Sequence, residues 1–280
     1  MSYLATLRRL QRHDLSRFRP FRVGSDAVGW VGHEFARTLA DWPDVFEVTG
    51  EEVALRDTLV GFEARSRAVE DVVQALHVRG ALPVPTGEPF PVLRAWGDAP
   101  LLKMDRAAIS RFGIRAFGIH LNGFVRTDQG LEMWVAKRSQ RVRTEPGKLD
   151  HLMAGGQPYG LTLEENLIKE CAEEASIPSE IALLAVPSGS VSYRMETRDY
   201  LRSDTLFTYD LELPADFEPV ASDGEVAWFQ RWPVERVMAK VRDEPEAFKF
   251  NVPLVLIDFF ARHALLGSEE SDHVEAELRR

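Results

Sequence analysis

Between residues 162 and 177, Leu163, Leu167, Ile168 and Cys171 recur at helical spacing, with polar, mainly acidic residues between them. Such a stripe predicts an amphipathic helix whose apolar side packs down. Thr162 followed three residues later by Glu165 reads as a capping box at its start, and Pro178 stands just past its end. On either side the period changes to that of strands. Residues 116–125 and 131–138 predict a hairpin turning at Thr127-Asp128-Gln129-Gly130, and residues 188–193, 205–213 and 225–230 predict further strands. Helices over 234–241 and 252–266 follow. The first hundred-odd residues have a different texture. A first helix turns Leu4, Leu7 and Leu10 inward, and Ser25 or Asp26 caps a second with Val28, Val31, Phe35 and Leu39 on one face. Short strands at 45–48 and 53–55 turn at Gly50-Glu51, and a third helix carries Val69, Val72, Val73 and Leu76 and ends near Gly80. Pro83, Pro85, Pro89 and Pro91 then predict irregular chain.

The change of texture near Gly113 divides the chain into a smaller N-terminal α+β domain over 1–112 and a larger α+β domain over 113–266, followed by a polar, loose tail over 267–280. A helix set between runs of strands predicts a mixed β-sheet covered by helices.

Composition narrows the partners. The 280 residues carry 44 acidic and 34 basic side chains, a net charge of −10. An acidic chain lacks the electrostatic footprint of a general nucleic-acid binder. No segment is apolar for long enough to span a membrane, and the N-terminus lacks a signal-peptide pattern. Arg8, Arg9, Arg12, Arg17, Arg19 and Arg22 resemble a transit peptide, but an ordinary first helix reads better, so the cytoplasm is the expected compartment. Cys171 is the single cysteine, on the apolar stripe, and reads as a small buried hydrophobe rather than a reactive thiol. His120 and His151 read as polar packing residues.

The chemistry is concentrated on one helix face. Glu170, Glu173 and Glu174 stand at i, i+3 and i+4, where like charges repel. A cation over that face turns repulsion into binding, and carboxylate oxygens suit Mg²⁺ or Mn²⁺, which also hold substrate phosphates. Gly155, Gly156 and Gly160 form the loop entering the helix. Lys137 and Arg138 end a strand as candidates to grip a phosphate, one of them expected to be only a strand-end charge.

Aligned on these glutamates, the chain resembles the Nudix hydrolases, whose box reads G-x5-E-x7-R-E-U-x-E-E-x-G-U with U aliphatic. Gly155 matches the first glycine, Glu170, Glu173 and Glu174 the glutamate core, and Ile177 the last aliphatic position. Leu161 stands in place of the first Glu, Lys169 of Arg, Cys171 of the aliphatic residue and Ser176 of the second Gly. The resemblance covers roughly the second half of the chain. It implies a Nudix α/β/α sandwich with a mixed sheet, and a Mg²⁺- or Mn²⁺-dependent diphosphohydrolase acting on a small molecule. Metal ligands would be Glu170, Glu173 and Glu174. Catalysis would fall to Glu173, Glu174 and Glu225, and substrate binding to Lys137, Arg138, Gly155 and Gly156. Spacing does not divide the roles among the three box glutamates, and Glu225 reads equally as a loop acid after Asp223-Gly224.

The runs Trp134–Ser139, Pro146–Asp150, Glu165–Cys171, Val191–Tyr193, Tyr209–Pro214 and Asp223–Val226 resemble the thiamine-diphosphate-related Nudix branch, in which Leu at the position of Leu161 is familiar. The implied substrate is thiamine diphosphate or an oxidised analogue, cleaved to the monophosphate and phosphate. A nucleoside diphosphate derivative and a non-catalytic ligand-binding module remain alternatives, and a homodimer is compatible with either. An isopentenyl-diphosphate-isomerase-like enzyme fits less well, because Cys171 lies on the wrong helix face.

Overall fold

A computed structural model describes residues 2–222 and 224–279. The chain begins with α1 (Tyr3–Leu10), a 3₁₀ turn at Leu15–Arg17, β1 (Phe18–Val23), β2 (Asp26–Gly32), α2 (His33–Leu39), β3 (Phe46–Val48), β4 (Val53–Leu55) and α3 (Phe62–Val78). A hairpin of β5 (Pro89–Val92) and β6 (Leu102–Asp105) and the short α4 (Arg106–Ile109) complete the first half. Its sheet runs β2-β1-β4-β3, with β1 and β4 parallel. Phe21, Phe35 and Phe46 pack around Phe112 with ring centroids 5.2, 5.3 and 6.0 Å away. Val69, Val72, Val73 and Leu76 of α3 are buried in the same core, as their spacing predicts.

The helix expected after Ser25 begins later. Residues 26–32 are strand β2, and only His33–Leu39 is helical. Gly24, at φ 59°, turns the chain back onto β1. Gly29 lies so close to Phe112 that a Cβ there would meet its carbonyl oxygen at 2.3 Å, and Trp30 N–H donates to the same oxygen at 3.0 Å. Long-range pairing thus overrides a helical spacing made of β-favouring residues.

The second half contains β7 (Arg115–Thr127), β8 (Gly130–Arg138), β9 (Leu149–Asp150), β10 (Met153–Gly156), α5 (Leu163–Ala175), α6 (Ser179–Ala182), β11 (Val186–Glu196), β12 (Leu201–Glu212), β13 (Val226–Pro233), α7 (Val234–Asp243), α8 (Val252–Arg262) and α9 (Ser268–Leu278). The sheet order is β11-β12-β7-β8-β13, with β10 on β7 and β9 on β8. β12 and β7 are parallel and their other neighbours antiparallel, so the sheet is mixed as expected. Side chains alternate across it. Ile119, Leu121, Trp134 and Leu211 join the core under α5 and α6, while Met133, Val135, Leu206 and Trp232 join the core under α7 and α8.

Two boundary expectations need correction. α1 belongs to the core of the second half: Tyr3, Leu7 and Leu10 are buried there, the Tyr3 and Phe260 rings lie 6.0 Å apart, and Tyr3 donates to the Met238 carbonyl at 3.0 Å. A cut at residue 112 therefore does not separate two self-contained cores. The chain after Gly267 is helical rather than loose, and Val274 is buried against α1 and α8. Its polar composition hid a narrow buried stripe.

Candidate active site

The helix that bears the glutamates is formed by local signals. Thr162 caps α5 by accepting from Glu165 N–H at 3.2 Å, while Glu165 reaches back to Thr162 N–H at 2.8 Å. At the other end Ser176 adopts the left-handed conformation at φ 53°, which glycine occupies more readily. Its hydroxyl donates to the Val220 carbonyl at 3.1 Å. Leu167 and Cys171 are buried beneath the helix, and burial pushes the Cys171 thiol up to about 12. An inert core thiol is the result.

Glu170 and Glu174 bend inward onto β10. Gly155 lies directly under Glu170: a Cβ on it would sit 2.4 Å from the carboxyl carbon. Glu174 accepts the Ala154 N–H at 3.0 Å. Burial raises the pKa of Glu170, against the opposing charge of Lys169. Burial also raises Glu174 well above the usual carboxylate range, and the negative charges of Asp150 and Glu170 add to it. Two close, partly desolvated carboxylates form an acceptor-rich seat for a cation. Glu173 is exposed, and its carboxylate meets Lys169 Nζ at 2.8 Å. The same ammonium lies 3.1 Å from Glu170, so Lys169 neutralises part of this face. Among the described residues no three His, Cys, Asp or Glu side chains gather closely enough to hold a metal ion. The inward pair nevertheless fits a hard divalent cation in its donor chemistry: oxygen ligands, buried negative charge and a glycine that leaves room beside them.

The other expected residues are dispersed. Arg138 is largely buried, pairs with Asp150 at 2.9 Å and donates twice to the Thr144 carbonyl. Lys137, one position away, follows Met133 and Val135 to the opposite face and lines a groove beside α7. Gly156 leaves space for Phe90, whose ring a Cβ there would meet at 2.5 Å. Glu225 is exposed just before β13, with its carbonyl accepting from Ser139 N–H at 2.7 Å. Asp223, part of the same quoted run, lies outside the described residues.

Several residues without a sequence signal of their own complete the surroundings. Asp150 bonds Arg138 and, at 3.3 Å, Lys249 from the segment before α8. Burial works to raise its pKa, but Lys249, His151 and Arg138 hold it below the usual value. His120 and His151 pack edge to face, centroids 4.9 Å apart, and burial keeps both neutral, with His151 lowered to about 4. Their packing role agrees with the sequence reading, but the association with Asp150 and Lys249 spans about a hundred residues of chain, so spacing offered no cue. The N-terminal half also reaches the site. Glu88 adds negative charge near Glu170, the Pro89 carbonyl accepts Tyr159 N–H at 2.8 Å, and Phe62 stacks on Tyr159 at 5.2 Å.

The profile of a domain of unknown function (DUF4743) matches residues 2–116. The chain is 40% identical over 263 residues to Nudix hydrolase 24, chloroplastic, of Arabidopsis thaliana, an alignment covering 93% of this chain and 72% of that protein. It is 38% identical over 271 residues to Nudix hydrolase 20, chloroplastic, of the same plant, with the same coverage. Among solved structures, DR0079 from Deinococcus radiodurans aligns at 22% identity and a TM-score of 0.46, covering 60% of this chain and 97% of that one. The chain belongs to the Nudix hydrolases, and it is an enzyme that acts on phosphorus anhydrides. No helix among the described residues is long and apolar enough to cross a membrane.

Proposed function

We propose that this chain hydrolyses the diphosphate of a small organic molecule with Mg²⁺ or Mn²⁺ seated on Glu170 and Glu174, Glu173 leaving Lys169 to join them as the third ligand when the metal binds. The observation that carries this is the pair of inward carboxylates seated on β10, Glu170 over Gly155 and Glu174 on Ala154 N–H. Bound there, the metal would supply charge neutralisation and a lowered pKa for attacking water. The chain's own contribution is positional. α5 fixes Glu170 and Glu174 against a strand, and the Lys169 ammonium balances the face. Glu173 is the accessible member of the triplet and the candidate general base. Glu225 is the second candidate. Arg138 acts by orienting Asp150.

Within this class we read the substrate as thiamine diphosphate or an oxidised analogue, on the resemblance of the quoted runs. The N-terminal half sets substrate choice, because Phe90 and Phe62 border the glycine loop. The test is a panel of thiamine diphosphate, its oxo and oxy analogues, ADP-ribose and a nucleoside triphosphate, with Mg²⁺ and with chelator. Glu173→Gln or Glu174→Gln should lower kcat about 10²–10⁴-fold. Normal turnover in both variants removes the glutamate assignment. A preference for either nucleotide over every thiamine compound removes the substrate and leaves the hydrolase.

A further inference from the structure

The groove beside α7 is separate from the glutamate face. It has about 560 Å³ of room, within the range of small-molecule sites. Its walls come from β8, β13, α7 and the segment around Lys148, on the sheet face opposite α5. Lys137, Lys148, Arg236 and Lys240 line it, together with Trp228 and Trp232, and among the described residues no carboxylate does. That is the reverse of the chain's balance of 44 acids to 34 bases.

The cations are not equally engaged. Lys240 pairs with Glu244 at 2.6 Å, and Lys148 donates to the Glu246 carbonyl. Lys137 and Arg236 have no ion-pair partner among the described residues. The Arg236 guanidinium lies 3.7 Å over the Trp232 ring, which fixes its plane and leaves its N–H edges for an anion. Trp228 is half-buried in the same wall and offers an indole to a second flat group.

The geometry points to a second binding site, for a small phosphorylated aromatic molecule of the nucleoside diphosphate type. Its phosphates meet Arg236 and Lys137, and its ring stacks on Trp228. Arg binds phosphate oxygens through paired N–H groups, and indole–ring stacking tolerates many heterocycles. The site needs neither the glutamates nor a metal, so it stands whatever the hydrolytic substrate is.

ADP titrated calorimetrically into the full chain in EDTA tests this, since chelation leaves the glutamate face unloaded. One ADP per chain is expected, with affinity falling as salt rises. Pyrophosphate should bind more weakly and adenosine more weakly still. Arg236→Ala and Trp228→Leu should each weaken ADP about tenfold or more, while Glu174→Gln leaves it unchanged. Thermal melts establish that the variants fold. If Trp228→Leu does not, the surface change Arg236→Ala decides. Absence of ADP binding, full affinity in the folded variants, or loss of binding in Glu174→Gln would each overturn the proposal. Pyrophosphate binding as tightly as ADP would overturn the ring contact.

Discussion

Replacing Gly155 with Ala probes the glutamate seat through the strand beneath it. An added Cβ would stand 2.4 Å from Glu170 Cδ, 2.5 Å from Cγ and 2.8 Å from Oε1. Ordinary carbon–carbon contact needs about 3.5–4.0 Å, so the carboxyl group must retreat by roughly 1 Å. Gly155 has no left-handed backbone angle, so the effect is steric alone. Overpacking of this kind costs about 1–3 kcal/mol, which a protein of ordinary stability, about 5–15 kcal/mol, survives folded at 25 °C. Displacement of a positioning group by about 1 Å can lower the rate ~10²-fold. The expected result is therefore a folded enzyme with kcat reduced about 10²-fold and a raised Mg²⁺ requirement. The assay is turnover of a cleaved diphosphate against Mg²⁺ concentration, beside urea unfolding. Gly156→Ala is the contrast, since its Cβ would strike the Phe90 ring at 2.5 Å and should disturb KM more than the metal requirement. A Gly155→Ala enzyme with normal kcat and Mg²⁺ dependence would refute the placement of Glu170 in the reaction.

Deleting residues 2–12 removes Tyr3, Leu7 and Leu10 from the second core. At about 1.5–3 kcal/mol each, the loss is of order 5–9 kcal/mol, so a fragment starting near Gly113 should fail to melt cooperatively; a monomeric fragment with a sharp melt contradicts this. Ser176→Gly should stabilise by up to about 1 kcal/mol, read as a higher urea midpoint, because it relieves a left-handed residue while losing one hydroxyl bond to Val220; a lower midpoint shows that the hydroxyl outweighs the strain. His151, held neutral by burial at a pKa of about 4, disfavours the folded state as pH falls from the unfolded value near 6.5 towards 4. Between those two pH values the slope is about 1.4 kcal/mol per pH unit, so the contribution is fully present above pH 6.5 and is lost as the pH falls towards 4. The raised carboxylates Glu170 and Glu174 titrate in the opposite sense, so the measurement is the difference between wild type and His151→Asn. A pH-independent difference argues against a buried neutral ring.

Local physics made α5 readable from the chain. Its cap, its stripe and its stop each lie within a few residues of one another, and the structure has the capping box and buried face that they imply. The β7–β8 hairpin and α3 were legible for the same reason. Period alone failed at residues 26–32, because pairing with β1 and the Phe112 carbonyl decides that segment. It failed again at α1, whose apolar face announces burial without naming the core that receives it. Likewise the sequence brought out the glutamates as a triplet, but only packing against β10 turned Glu170 and Glu174 inward and left Glu173 to Lys169. The separation of Lys137 from Arg138 follows from strand alternation once the two sheet faces are assigned, and the Asp150–Lys249 pair forms only when segments about a hundred residues apart meet. Spacing along a chain fixes what lies on one face of one element. Which face meets which is set by long-range burial and hydrogen bonding.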